Sequence, residues 1–423
     1  MTGRAARAVA CFAAVGALFP MVAGPAVAQG SPPPLPKANT CIQPPAVTFE
    51  DTPWGQQLLA PERVWDLTQG QGIKVAVVDT GVDAQTPQLA GGKVLPGADV
   101  VEGVQGPANN DCFGHGTFVA GIIAASPTPG SGFAGVAPGV QIVPVRVATG
   151  TEEATGDTFT PAALARGIRR AVDLDADVIN VSASTSFPDP ELAGAVQYAA
   201  QRDALIVASA ANGAKEGDPV TYPASYPGVI AVGAIDSTGS HADFSQTGPY
   251  LSLVAPGVDV VSIGPHGPGH WQGSGTSYAA PYVSGVAALV RAYHPQLTAA
   301  QVKQRLEMTA SHPATALPDQ ALGWGTVNPM AAVSSVVNGE GVDGAAAVPP
   351  SPKPAVVAPE DELGPVLAIL GAVGAVITTM VLVLGFRLGA AGNRRGWGRP
   401  RVLQVVPDRQ QEPAPETEPA PTR

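Results

Sequence analysis

Residues Gly275–Pro281 read GTSYAAP and run directly into a largely apolar segment from Tyr282 to Tyr293. Two small residues before a serine, followed by an apolar run, predict a turn that exposes the Ser277 hydroxyl and then enters a buried helix. The unpaired N–H groups and the positive end of that helix would favour a negative charge beside the hydroxyl. A Ser/Thr cap on a core helix explains the same pattern, so the rest of the chain must decide between a cap and a nucleophile.

Short apolar runs alternate with helical patterns through residues 54–338, which we interpret as one domain. Strands are predicted at residues 74–78, 141–147, 178–181, 205–210, 229–234 and 251–254, and capped helices at residues 160–175, 189–201 and 298–308. This alternation predicts an α/β fold in which a mostly parallel sheet is covered by helices on both faces. Ligands of such sheets bind at the carboxyl ends of the strands.

Two further polar residues fall in contexts that match that of Ser277. Asp79 ends the first predicted strand, and His115 lies between two glycines at the head of an apolar helix. A serine hydroxyl becomes a nucleophile when a base such as histidine takes its proton, and an acid orients that histidine. The order Asp79, His115, Ser277 therefore predicts an orienting acid, a general base and a nucleophile. The other five histidines lie in polar or Gly/Pro-rich segments and are expected to be solvated surface side chains.

The first residues have the pattern of a secretory signal peptide. Arg4 and Arg7 precede an apolar run, and Ala26-Val27-Ala28 fits a cleavage site, which predicts a signal peptide over residues 1–28. A Pro-rich extension follows over residues 29–53 and carries Cys41. Outside the cytoplasm Cys41 and Cys112 are expected to form a disulfide closing a loop of about seventy residues, which would stabilise the fold by roughly 4 kcal/mol.

The C-terminal part predicts a single membrane span. A Pro-rich linker over residues 339–362 leads into residues 363–386, an uncharged apolar stretch long enough to cross a bilayer. Acidic residues precede it, and arginines follow it in a basic, then Pro-rich tail over residues 387–423. This charge asymmetry predicts a cell-membrane protein whose tail is cytoplasmic and whose main domain lies outside the cytoplasmic membrane.

Composition and motif spacing argue against several other functions. The formal net charge of -11 does not favour nucleic acid as a partner. No His, Cys and carboxylate cluster has the spacing of a metal site, and we expect no metal or cofactor. A lipase- or esterase-type hydrolase is disfavoured because Ser277 lacks the Gly-x-Ser-x-Gly context and the order Asp79, His115, Ser277 differs from theirs.

The blocks Val77–Val82, Gly114–Thr117 and Gly275–Pro281 resemble the three signature blocks of subtilisin-like serine proteases. The resemblance implies a subtilisin-like three-layer domain and assigns Asp79, His115 and Ser277 the triad roles given above. It also implies Asn212 as the side-chain donor to the oxyanion. Asn180, in the preceding predicted strand, is the alternative by its position. The chain departs from the family pattern at Ala211, where glycine is usual. Another departure is the segment Ser182-Ala183-Ser184, predicted to bind substrate in place of the usual Ser-x-Gly.

The complete layout resembles that of the mycosins, which are membrane-anchored subtilases of type VII secretion systems. The resemblance implies a serine endopeptidase that cleaves secreted protein substrates and also stabilises the secretion membrane complex. Its expected partners are those substrates, the components of that complex and the membrane. The alternative is a mainly structural subunit of the complex whose protease activity is dispensable.

Overall fold

The structure is a computed structural model that describes residues 31–37, 41–101, 103–150, 159–337, 340 and 380. By its internal contacts the chain divides into Met1–Asp343 and Gly344–Arg423, and the described strands and helices detailed below belong to the first unit. The predicted signal peptide lies outside the described residues. So do the predicted membrane span, apart from Met380, the cytoplasmic tail and most of the predicted linker. Within the described residues, no helix has the length and apolar character needed to cross a membrane.

Seven parallel strands form the central sheet, in the order β2-β3-β1-β4-β5-β6-β7. The strands are β1 (Lys74–Asp79), β2 (Ala98–Asp99), β3 (Gln141–Arg146), β4 (Val178–Val181), β5 (Leu205–Ser209), β6 (Ile230–Ile235) and β7 (Leu251–Pro256). The order places β1 between β3 and β4, where the direction of strand succession reverses. A crevice at the carboxyl ends of the strands opens at such a point, and β1 ends there at Asp79.

Helices cover both faces of the sheet, as the mostly apolar strands predict. They are α1 (Trp54–Leu59), α2 (His115–Ala124), α3 (Pro161–Asp173), α4 (Pro190–Gln201), α5 (Thr276–Tyr293), α6 (Ala299–Met308) and α7 (Pro329–Ser334). Successive residues of β1 alternate between two cores. Val75 and Val77 pack with the α2 and α5 side chains, whereas Ala76 and Val78 pack with those of α3 and α4. This period of two follows from the pleat of a strand.

Polar caps set the starts of several helices. The side chains of Thr160, Asp189, Thr298 and Asn328 each accept a backbone N–H from the first turn of α3, α4, α6 and α7, respectively. Helix α5 has no side-chain cap at Gly275. The N–H groups of its first turn therefore remain available to other partners.

A small antiparallel hairpin was not predicted from the sequence. It consists of β8 (Val260–Ile263) and β9 (His270–Gly273). The N-terminal extension pairs with its edge, since the N–H of Leu35 donates to the Gln272 carbonyl and the N–H of Gln272 donates to the Pro33 carbonyl. The expectation that His270 is a solvated surface side chain is wrong. Its ring is fully buried, because β9 packs beneath the extension.

A disulfide joins Cys41 to Cys112 across a sequence separation of 71 residues. Next to it, the N–H of Ile42 donates to the carbonyl of Cys112 at 2.9 Å. The Ile42 side chain lies against Gly114, the residue before His115. The extension is therefore attached to the loop that leads into α2.

Candidate active site

Asp79 and His115 are in direct contact at the carboxyl end of β1. The Nδ1 atom of His115 lies 2.8 Å from Asp79 Oδ1 and 2.9 Å from Asp79 Oδ2. Asp79 is fully buried and His115 nearly so. A buried carboxylate needs such a partner because an unpaired charge is costly away from water. The contact also fixes the ring tautomer, because Nδ1 must carry the hydrogen that it donates and Nε2 is left as the acceptor.

Small residues allow this close approach. A Cβ atom on Gly116 would lie 2.0 Å from the carbonyl oxygen of Gly81, so only glycine lets the first turn of α2 pack against the loop that follows Asp79. The N–H of Gly116 donates to Thr80 Oγ1 at 3.0 Å. Gly116 therefore allows the close packing that brings His115 into contact with Asp79.

Asp111 is a second buried carboxylate beside this pair, and the sequence analysis missed it. It accepts the Thr80 hydroxyl at 3.0 Å and both the N–H and the hydroxyl of Thr117, at 2.9 and 2.7 Å. It therefore ties the loop after β1 to the first turn of α2. The signal available in the sequence was an aspartate shortly before an apolar helix, which is a common helix start. Burial raises the pKa of Asp111.

The pKa of His115 reflects opposing effects. Burial alone lowers it, but the charge of Asp79, the hydrogen bond to Asp79 and the charge of Asp111 outweigh burial, so that the pKa of His115 is raised above its ordinary value. An imidazole with a raised pKa is a stronger base. The arrangement can therefore accept a proton at Nε2 and stabilise the resulting imidazolium.

Ser277 is the second residue of α5, and it is partly exposed. The ring of the next residue, Tyr278, lies 5.2 Å from the His115 ring, centroid to centroid, which places the start of α5 beside the histidine. In the described part of the chain, no direct hydrogen bond joins the Ser277 hydroxyl to His115. The structure thus forms the contact between Asp79 and His115 and places the start of α5, which carries Ser277, beside the histidine.

Asn212 lies on the same side, in the turn after β5. Both the Ser277 hydroxyl oxygen and the Asn212 Nδ2 atom lie near the position that a Cβ atom on Gly275 would take, at 3.1 and 3.5 Å. Gly275 therefore leaves open the space that both groups face. The preceding residue, Ala211, has a φ of +80°, a left-handed conformation that glycine adopts more readily.

The segment Ser182-Ala183-Ser184 follows β4 next to α5. Ser182 and Ala183 are buried and Ser184 is half-buried. The Ser182 hydroxyl donates to the backbone carbonyl of Ser277 at 2.8 Å. Asn180, the alternative to Asn212, is fully buried and bonded to the hydroxyls of Ser182 and Ser284. It is therefore not free to face a substrate.

The structure gives no indication of a metal site within the described residues, since no three or more His, Cys, Asp or Glu side chains there are placed to hold an ion. The chemistry of the site consists of an acid, a base, a hydroxyl and amide donors. That set is suited to acyl transfer through a nucleophilic serine.

Comparison with known proteins agrees with this chemistry. The model of the subtilase family, peptidase S8, matches residues 70–325. Mycosin-4 of Mycobacterium tuberculosis is 40% identical over 317 residues, which cover 66% of this chain and 68% of the relative. Mycosin-1 of the same organism is 33% identical over an alignment that covers 90% of this chain and 94% of the relative.

A solved structure shows the same architecture. It is described as a serine protease, MycP1, an essential component of the type VII (ESX-1) secretion system. It superposes with a TM-score of 0.61 at 33% sequence identity and covers 72% of this chain and 95% of that one. From the fold, the family match and these relatives, we conclude that the chain belongs to the mycosin group of the subtilase family and is a subtilisin-like serine peptidase.

Proposed function

We propose that Asp79, His115 and Ser277 form the catalytic triad of an endopeptidase. The Ser277 oxygen attacks the peptide carbonyl carbon while His115 Nε2 takes the hydroxyl proton. His115 then passes this proton to the leaving amine, and water hydrolyses the acyl-enzyme by the same steps. Asp79 holds the ring and stabilises its protonated form. The observation that carries this proposal is the double contact of Asp79 with His115 Nδ1, at 2.8 and 2.9 Å.

Asn212 and the backbone of Ser277 supply the proposed oxyanion donors. The N–H of Ser277 belongs to the first turn of α5, and no hydrogen bond among the described residues uses it. The Asn212 amide faces the same space. Two donors aimed at the developing negative charge are the usual arrangement for acyl transfer. We further propose that the Ser182–Ser184 segment lines the substrate cleft, because it runs from β4 towards the site.

Labelling with a fluorophosphonate probe tests the triad. The purified full-length chain should react at Ser277, and Ser277→Ala should abolish the adduct. His115→Ala should slow labelling by several orders of magnitude, since the serine then lacks its base. A wild-type protein that stays unlabelled, or equal labelling of Ser277→Ala, would rule out this mechanism.

We propose that the peptidase domain acts outside the cytoplasmic membrane, on secreted substrates of a type VII secretion system. The predicted signal peptide, the span at residues 363–386 and the basic tail support this placement, and so does the description of the related MycP1. Alkaline phosphatase fused after residue 338 should be active. The same enzyme fused after residue 423 should be inactive. Activity at both positions, or only at the second, would contradict the orientation.

A second candidate function is that of a structural subunit that stabilises the secretion complex. The description of the related MycP1 as an essential component of its secretion system favours it. The decisive comparison is between Ser277→Ala and deletion of the whole chain. If secretion persists in Ser277→Ala cells but not in the deletion strain, the structural role is the essential one. If both strains lose secretion, proteolysis is required.

A further inference from the structure

Pro281 leaves the backbone carbonyl of Ser277 without its ordinary helical partner. In an α-helix the carbonyl of residue 277 accepts the N–H of residue 281, and proline has no N–H. Pro281 is buried inside α5. The carbonyl of the proposed nucleophile thus needs a hydrogen-bond donor from outside this helical ladder.

A hydroxyl from a neighbouring strand end satisfies it. Ser182 Oγ donates to the Ser277 carbonyl at 2.8 Å. Asn180 Nδ2 donates to Ser182 Oγ at 2.8 Å, and Ser284 Oγ donates to Asn180 Oδ1 at 2.8 Å. These bonds form a chain that leaves α5 at Ser284, passes through the end of β4 and returns to α5 at Ser277.

The donors and acceptors fix the direction of every bond in this chain. A carbonyl can only accept, so the hydrogen between Ser182 and Ser277 belongs to the Ser182 hydroxyl. The Ser182 oxygen then accepts, and within its bond to Asn180 only the amide nitrogen can donate. The amide oxygen of Asn180 is left to accept the hydroxyl of Ser284. Asn180 and Ser284 are fully buried and Ser182 is 6% exposed, so water does not compete easily for these bonds.

We propose that Ser182 is a positioning residue for the Ser277 nucleophile and acts through the carbonyl that Pro281 leaves open. The hydroxyl oxygen and the N–H of Ser277 are attached to the same backbone as that carbonyl. Anchoring the carbonyl therefore sets the direction of both groups. Small misplacements of reacting groups slow catalysis strongly. The inference rests on the proposed catalytic role of Ser277, and it gives Ser182 a task distinct from substrate contact.

The test is a double-mutant cycle read by the rate constant of fluorophosphonate labelling in the full-length chain. Ser182→Ala should label about tenfold or more slowly than the wild type, in the range that misplaced reacting groups cause. Pro281→Ala supplies the missing N–H. In that background the additional loss from Ser182→Ala should therefore shrink to about twofold or less. Ser186→Ala, at an exposed serine two residues beyond the Ser182–Ser184 segment, serves as the control and should label at the wild-type rate.

Ser284→Ala is a second variant that tests the proposal while leaving both Ser182 and Pro281 intact. It removes the far end of the chain of bonds, two helical turns from Ser277, and should slow labelling less than Ser182→Ala does. Melting temperatures establish that each variant is folded. The acid limb of the pH–rate profile should stay in place, because the hydrogen-bonded Ser182, Asn180 and Ser284 carry no titrating group and His115 keeps its partners.

The outcomes separate this inference from the proposed function. Wild-type labelling with an unchanged rate in both Ser182→Ala and Ser284→Ala would overturn the inference alone. An equal loss from Ser182→Ala in both backgrounds would also overturn it, since Ser182 would then act by a route other than the carbonyl. A wild type that does not label would refute the proposed function and this inference together.

Discussion

Thr276 holds the side-chain oxygen of Asn212 with two hydrogen bonds. The N–H of Thr276 donates to Asn212 Oδ1 at 2.9 Å, and its hydroxyl donates to the same atom at 3.0 Å. The hydroxyl oxygen in turn accepts the N–H of Ala211 at 3.0 Å. Because the amide group is planar, anchoring the oxygen directs the Nδ2 hydrogens away from Thr276. The orientation of this proposed oxyanion donor is thus set by the residue that precedes Ser277.

Replacing Asn212 with alanine should lower the labelling rate by about 10²–10³-fold, the loss that removal of such a donor causes in subtilisin. The melting temperature should also fall, because the buried Thr276 loses the acceptor of its N–H and hydroxyl, so the labelling rates are compared at a temperature where both proteins are folded. Asn109→Ala, at another exposed asparagine, is the matched control and should keep the wild-type rate. A loss below about threefold for Asn212→Ala would remove it from the proposed oxyanion site.

The raised pKa of His115 predicts the pH dependence of the reaction. The base must be neutral to take the serine proton, so the rate should rise with pH through a midpoint above the ordinary value of 6.5. Asp79→Asn removes the charge that opposes the effect of burial. The midpoint should then move to lower pH while the maximal rate falls by about 10⁴-fold.

Labelling rates measured from pH 5 to 9 provide this test. Asp51→Asn, at an exposed aspartate, is the control and should leave both the midpoint and the maximal rate unchanged. A midpoint that is the same in Asp79→Asn and wild type would show that Asp79 does not set the basicity of His115.

Ala211 stands where the family pattern has glycine, and its backbone conformation predicts an effect on stability. At a φ of +80° an alanine carries a strain of about 1–2 kcal/mol. Glycine relieves that strain but costs about 0.4–1 kcal/mol in the entropy of the unfolded chain. Ala211→Gly should therefore stabilise the fold by about 0.5–1 kcal/mol, whereas Ala210→Gly in the neighbouring buried position should destabilise it. Chemical denaturation measures both changes, and a destabilised Ala211→Gly protein would contradict the prediction.

His270 should make the stability of the domain fall in acid. Its Nδ1 atom accepts the N–H of Phe49 at 3.0 Å, and Nε2 lies 3.2 Å from the Ser131 hydroxyl. Burial lowers the pKa of His270 to about 4. Because the pKa of His270 is lower in the folded than in the unfolded state, neutral His270 contributes its full stabilisation above pH 6.5, the unfolded value. As the pH falls towards 4, the free energy of unfolding should decrease by about 3 kcal/mol from this group.

His270→Asn keeps an acceptor for Phe49 and does not titrate, so it should flatten the pH dependence of the unfolding free energy between pH 6.5 and 4. His312→Asn, at an exposed histidine, should leave it unchanged. An equally steep acid loss in His270→Asn would assign the effect to other groups.

The disulfide between Cys41 and Cys112 closes a loop of 71 residues, for which the chain-entropy relation gives about 4 kcal/mol of stabilisation. The double variant Cys41→Ser/Cys112→Ser should unfold at a lower denaturant concentration, and its free energy of unfolding should be lower by up to this amount. Reductant should destabilise the wild type and leave the double variant unaffected. Reductant that acts equally on both proteins would exclude this disulfide as the cause.

The sequence determined much of the fold because its signals are local. Apolar strands, helical periods and polar caps depend on neighbouring residues, and the six predicted strands and the capped helices agree with the structure to within a few residues. The two-residue strand β2 was not predicted. Helix α2 begins at His115, the residue predicted at its head, and Asp111 accepts the N–H of Thr117 in its first turn. The β8–β9 hairpin escaped prediction because its partner, the extension, lies more than two hundred residues away in the chain.

Local patterns in the sequence predicted Asp79, His115 and Ser277 as the residues that carry the chemistry, since all three lie in small-residue contexts. Only the tertiary structure decided how they are held. It brought the two buried carboxylates Asp79 and Asp111 to the head of α2, and it supplied the hydroxyl of Ser182 to the carbonyl that Pro281 leaves open. Such contacts join residues far apart in the chain, and their strength depends on burial, which only the packed molecule defines.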